Sequence, residues 1–135
     1  MTDESDQEIA EKIRSAFGEF LDGTLHLVVF DNPDIIGRPP EAWHDEIVEC
    51  IDEIRESKGI SAAKAAKQIR DPYLKQFYVT EEGFMTAYWR RRPEYYKEKF
   101  LSAIADRDMN EAIKAFKQLP KDWKERLTHI AAKFR

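Results

Sequence analysis

Apolar residues return at three- and four-residue intervals in nearly every stretch of this chain between its prolines and glycines, a spacing that builds helices and not strands. In QEIAEKIRSAFGEFLDG, residues Ile9, Ile13, Ala16, Phe17, Phe20 and Leu21 share one face, and Gly23 supplies the stop. In EAWHDEIVECIDEIRES the face is Trp43, Ile47, Cys50, Ile51 and Ile54, closed by Gly59, which makes Cys50 a small buried hydrophobe. SAAKAAKQIR is a short alanine-rich helix that Pro72 is expected to stop.

Thr80 is a good N-cap for a fourth helix, with Glu81 and Glu82 near its positive end, running to about Arg91. Arg92 precedes Pro93 and is biased out of helical geometry, so a break is expected there, with a fifth helix burying Tyr96, Phe100, Ala103 and Ile104. A sixth helix packs Ala112, Ile113, Phe116 and Leu119. A seventh, from Pro120, packs Trp123, Leu127, Ile130, Ala131 and Phe134. TLHLVVF at 24–30 reads as a short strand or an apolar connector, and 31–40, with three prolines and a glycine, as a linker. The expected fold class is all-α, a multi-helix domain without repeats.

With 135 residues, 42% of them apolar, the chain is long enough to bury a real core. The longest apolar run, LHLVVF, is far below a bilayer span, and the acidic start MTDESDQE lacks a signal peptide's basic region. One cysteine permits no internal disulfide, so no membrane role and a reducing, cytoplasmic setting are expected, the host cytoplasm for a viral protein. The net charge of −4 conceals a division: residues 1–58 hold sixteen acidic side chains against five basic, and 59–135 hold ten against seventeen. Such asymmetry fits a nucleic-acid-facing part beside an acidic one, head-to-tail association between subunits, or an uneven solvated surface.

Catalytic signatures fail on inspection. FLDGTL resembles the DxDGT motif of haloacid-dehalogenase-type phosphatases, but Phe20 stands where the nucleophilic aspartate is required. VVFDNPD resembles the NPP-type motif of amino-methyltransferases without its second proline and aromatic. His26, His44 and His129 have no metal-ligand spacing, Glu49 and Glu53 read as a solvated face, and no Walker A motif is present. No catalytic residue, metal or cofactor is expected.

GRPPEAWHDEIVECIDEIRESKGISAAKAAKQI followed by YWRRRPEYYKEKFLSA resembles the helix-turn-helix region of phage terminase small subunits. Gly37, Arg38 and Pro39 match that family's lead-in, Ala62 to Ile69 its supporting helix, and Trp89 the aromatic ending its recognition helix. Tyr96, Phe100 and Ala103 match the packing positions of the helix that follows. DPYLKQFYV, between the supporting and recognition helices, reads as a connection longer than a compact helix-turn-helix turn of about three to four residues. The resemblance implies a non-enzymatic protein that recognises double-stranded viral DNA, forms a ring-like homo-oligomer and presents DNA to an ATP-dependent large subunit. It divides the chain into an acidic helix and connector at 1–36, serving as an oligomerisation arm, a DNA-binding core at 37–107 and a basic helical pair at 108–135.

The fourth helix supports that expectation on its own residues. Phe84, Met85, Tyr88 and Trp89 form its inward face on a helical wheel, leaving Gly83, Thr86, Ala87 and Arg90 outside. Small side chains admit close approach to base edges while arginine reads guanine. Arg91 and Arg92, with Lys64, Lys67 and Arg70, are the expected phosphate contacts. Tyr96 reads as core, and Tyr95 as the one tyrosine of the pair left for an exposed contact. In the last helix Lys121, Lys124, Arg126, Lys133 and Arg135 are expected to meet DNA or the large subunit. The alternative is a phage-encoded helical protein-binding module, an inhibitor or adaptor whose acidic half occupies a basic partner surface.

Overall fold

The computed structural model describes residues 5–25 and 41–133, and among them it is all-helical. The elements are α1 (Asp6–Leu21), α2 (Ala42–Lys58), α3 (Ala62–Phe77), α4 (Glu81–Ala105), α5 (Met109–Gln118) and α6 (Lys121–Lys133). None is long and apolar enough to cross a membrane. The expected strand or connector and linker lie almost wholly outside the described residues, as do Phe134 and Arg135.

Local chemistry sets the helix ends. Ser5, Ser61 and Asp108 accept hydrogen bonds from the backbone N–H groups of Glu8, Lys64 and Glu111 at 3.2, 3.3 and 3.2 Å, capping α1, α3 and α5. Thr80 caps α4 as expected, its Oγ1 accepting from Gly83 N–H at 3.0 Å. Gly59 ends α2 in the left-handed region at φ 63°, where its N–H bonds the Arg55 carbonyl.

The described residues form two compact units, one of 5–25 with 96–133 and the other of 41–95. This division cuts the expected 37–107 core inside α4 and joins the N-terminal helix to the C-terminal pair. In the first unit α1 packs against α5 and α6. Its core joins Ile9, Ile13, Phe17 and Phe20 to Phe100, Ile104, Phe116 and Leu127. The Phe17 and Phe100 rings meet edge to face at 5.1 Å, an arrangement that adds about 0.5–1.5 kcal/mol to the burial of either ring. Of the expected positions here, Leu21, Tyr96 and Trp123 are only partly buried, and Ile130 is exposed.

In the second unit α2 packs against α3, and Trp43, Ile47, Val48, Ile51, Ala65, Ala66, Phe84 and Tyr88 fill the interior. Val48, absent from the expected α2 stripe, is fully buried, while Cys50 is half-buried. Here the structure corrects two helix ends. α3 continues through Pro72 to Phe77, because Tyr73 and Phe77, beyond the proline, complete an aromatic stack with Trp43. That burial outweighs the roughly 3 kcal/mol that an interior proline costs a helix. α4 likewise runs through Pro93, so the expected fourth and fifth helices are one.

Candidate nucleic-acid interface

The α3 extension changes the geometry of the expected DNA-reading motif. The long connection read in DPYLKQFYV shrinks to Tyr78, Val79 and Thr80, the length of a compact helix-turn-helix turn. Tyr78 makes that turn in the left-handed region at φ 54° with its side chain 93% exposed. Across the turn, Arg70 Nη2 bonds Glu81 Oε1 at 3.0 Å.

The three consecutive arginines separate. Arg91 grips Asp45 with two bonds, Nε to Oδ1 at 2.5 Å and Nη2 to Oδ2 at 3.4 Å. Arg92 Nε donates to Asp52 Oδ2 at 2.9 Å, and the other oxygen of that carboxylate accepts the Tyr88 hydroxyl. Arg55 completes the network, donating to the same Tyr88 hydroxyl at 2.8 Å. Tyr95, one turn beyond Arg91, donates to Glu49. Asp45, Glu49 and Asp52 thus form a carboxylate row on α2 that receives the polar ends of α4 side chains. Arg90 alone of the three is exposed, with no acidic partner among the described residues.

Burial is the main cause that pushes the Tyr88 and Tyr95 phenols up, followed by the carboxylates that accept their protons. Burial opposes the Arg55 charge, but Tyr88 and Asp52 outweigh it and hold the guanidinium above its ordinary range. The ion pairs therefore stand in a partly desolvated seam, where losing one partner costs more than it does at an open surface.

Each expected contact residue now has a place. Lys64 and Lys67 project from α3 into solvent, with no acidic partner among the described residues, whereas Arg70 is held by Glu81. Thr86 and Arg90 are exposed, as are Glu82 and Trp89, while Gly83 and Ala87 are half-buried. Arg91 and Arg92 point to α2 instead of outward. Two aromatic assignments are corrected: Trp89 is 50% exposed, with the Arg55 guanidinium over its ring at 5.8 Å, and Tyr95 is only 7% exposed. Glu49 and Glu53 are exposed as expected, although Glu49 also serves Tyr95. The carboxylate row is not among the expected features; its sequence signal is the 45, 49, 52 spacing on one helix beside 88, 92 and 91, 95 on another.

In the first unit, Lys121, Arg126 and Lys133 are exposed, the Arg126 guanidinium lying 5.2 Å from the centre of the Trp123 ring. Lys124 lies over the Phe116 ring at 5.1 Å. Among the described residues no group of three or more His, Cys, Asp or Glu is arranged to hold a metal ion. No family model, curated protein or solved structure matches the chain.

Proposed function

We propose that residues 41–95 form a helix-turn-helix-like unit that binds double-stranded DNA without catalysing a reaction, with α4 as its reading helix. The observation that carries this reading is the pair Thr86 and Arg90, exposed on α4 beside the half-buried Gly83 and Ala87, on a helix that follows α3 after one short turn. Such a face fits a major groove, with Arg90 directed at a guanine edge and Lys64 and Lys67 at phosphates. Arg91, Arg92 and Arg70 brace the unit instead of meeting the duplex. Their engagement limits the electrostatic footprint, since 41–95 hold eleven acidic side chains against nine basic. In a terminase-like role, a homo-oligomer of such units would present viral DNA to an ATP-dependent large subunit.

The test is fluorescence anisotropy with a labelled duplex across a salt series. Two phosphate-directed cations, Lys64 and Lys67, give a slope of log affinity against log salt of about −2. Arg90→Glu combined with Lys67→Glu is expected to weaken binding at least tenfold, about 1.4 kcal/mol, while leaving the helical circular dichroism unchanged. Arg91→Glu is unsuitable, because it would set a carboxylate against Asp45. No binding, or binding indifferent to both salt and the paired substitution, rejects the reading.

The exposed carboxylates Glu46, Glu49, Glu53 and Glu56 on α2 favour a second reading, a protein-binding module that occupies a basic partner surface. Under it the Arg90/Lys67 variant keeps its partner, and Glu53→Lys with Glu56→Lys loses it.

A further inference from the structure

Of the three tryptophans, Trp43 is buried and Trp123 half-buried, whereas Trp89 lies exposed on α4. The seam beneath it fixes its place. The Arg55 guanidinium lies over the indole, 5.8 Å from the ring centre. That guanidinium is itself anchored, donating to the Tyr88 hydroxyl at 2.8 Å and approaching Asp52 at 3.4 Å. The Tyr88 and Trp89 rings also meet, 4.8 Å apart at 65°. An indole propped in this way has less rotamer freedom to lose on binding than a side chain free in solvent.

Thr86 lies three residues before Trp89 and four before Arg90, so the three side chains neighbour one another on an exposed part of α4. Any surface that α4 meets through Thr86 and Arg90 therefore meets the indole too. In the major groove each base pair offers donors and acceptors, and the one apolar group among them is the thymine C5 methyl. Against a polar base edge, the indole carbons strip water from donors and acceptors without replacing its hydrogen bonds. Against a methyl, the same contact buries apolar surface on both sides. Glu82, exposed one turn before Thr86, is an acceptor matched to a cytosine amine.

We infer that Trp89 is a specificity-determining residue, which packs its indole on a thymine methyl beside the guanine met by Arg90. The inference rests on the DNA-binding reading of α4 and deepens it, since it assigns thymine next to guanine in the preferred site.

The experiment measures fluorescence anisotropy of the full chain with two labelled duplexes at low salt. In the first, one strand alternates guanine and thymine against cytosine and adenine, which sets a thymine beside every guanine in all registers. The second carries deoxyuridine for each thymine and so lacks only the methyls. Wild-type protein is expected to bind the thymine duplex about three- to fourfold tighter, the yield of burying one methyl. Trp89→Ala should bind the two duplexes equally, and Trp89→Phe should keep the preference. Each ratio is taken within one variant, so a loss of folded protein does not imitate the result. Binding by the wild type that ignores the methyls, or a preference that survives Trp89→Ala, overturns the inference and leaves the DNA-binding reading in place. No binding to either duplex overturns both.

Discussion

Arg92 Nε lies 2.9 Å from Asp52 Oδ2 in a seam where both side chains are less than a fifth exposed, 17% and 10%. Asp52 serves three residues at once, since Arg55 Nη1 approaches it at 3.4 Å and the Tyr88 hydroxyl donates to its other oxygen. Removing that carboxylate leaves two guanidinium groups and a buried hydroxyl short of an acceptor. Asp52→Ala is therefore expected to destabilise the protein by about 2–4 kcal/mol in urea unfolding. A loss below about 0.5 kcal/mol would show that the seam contributes nothing of consequence.

The arginine run yields a rank order. Arg90→Ala touches an exposed side chain and should change stability by no more than about 0.5 kcal/mol. Arg91→Ala strands Asp45, whose side chain is 42% exposed and so recovers much of its hydration. Arg92→Ala strands the more enclosed Asp52, and should cost the most, about 2–3 kcal/mol. Urea midpoints in the order Arg90, Arg91, Arg92, from least to most affected, are the expected result. An equal loss at all three positions would contradict the inward engagement of the last two.

High pH probes the same seam through its phenols. Tyr88 and Tyr95 are pushed above the ordinary tyrosine range, chiefly by burial and then by Asp52 and Glu49. In the unfolded chain these phenols ionise near pH 10, roughly the model-peptide value, while the folded chain still holds their protons. Stability from them is thus complete below about pH 10 and is lost as pH rises toward the folded-state values. Absorbance at 295 nm should show fewer ionised phenols in native than in urea-unfolded protein at about pH 10.5. Tyr88→Phe with Tyr95→Phe should remove much of the difference.

How far the sequence discloses this structure depends on what competes with periodicity. α1 and α5 follow their stripes closely, because each buries one face in one core. Periodicity reads two helices where α4 is one, since its buried residues 84, 88, 95 and then 100, 103, 104 are out of phase and Pro93 stands near the change. Pro72 misleads for a related reason: the gain from stacking Tyr73 and Phe77 on Trp43 is tertiary and leaves no local mark. Tyr95 and Trp89 exchange their expected places. A helical wheel ranks residues by polarity, whereas the structure buries the tyrosine whose hydroxyl finds Glu49 and exposes the tryptophan. Of the expected contact residues, Lys64, Lys67, Thr86 and Arg90 are exposed. Arg91 and Arg92 are drawn inward by carboxylates more than forty residues back in the case of Arg91 and forty in that of Arg92, a pairing invisible to local pattern.

Tyr78 offers a test of the turn itself. It holds φ 54° at the end of α3, a left-handed conformation that costs a non-glycine residue about 1–2 kcal/mol, and its nearly bare side chain supplies little packing in return. Tyr78→Gly removes the steric cost but adds freedom to the unfolded chain, so a net gain of about 0.5–1 kcal/mol is expected. Thermal unfolding measures it directly. Anisotropy on the same variant then asks whether the tyrosine serves a purpose: strain retained at an exposed turn beside a reading helix is the kind that persists where it aids binding. A variant that is more stable yet binds duplex more weakly would place Tyr78 at the interface with Arg90. One that is more stable with unchanged binding would confine its role to the turn, and one that is less stable would mean that the phenol ring packs more than its exposure indicates.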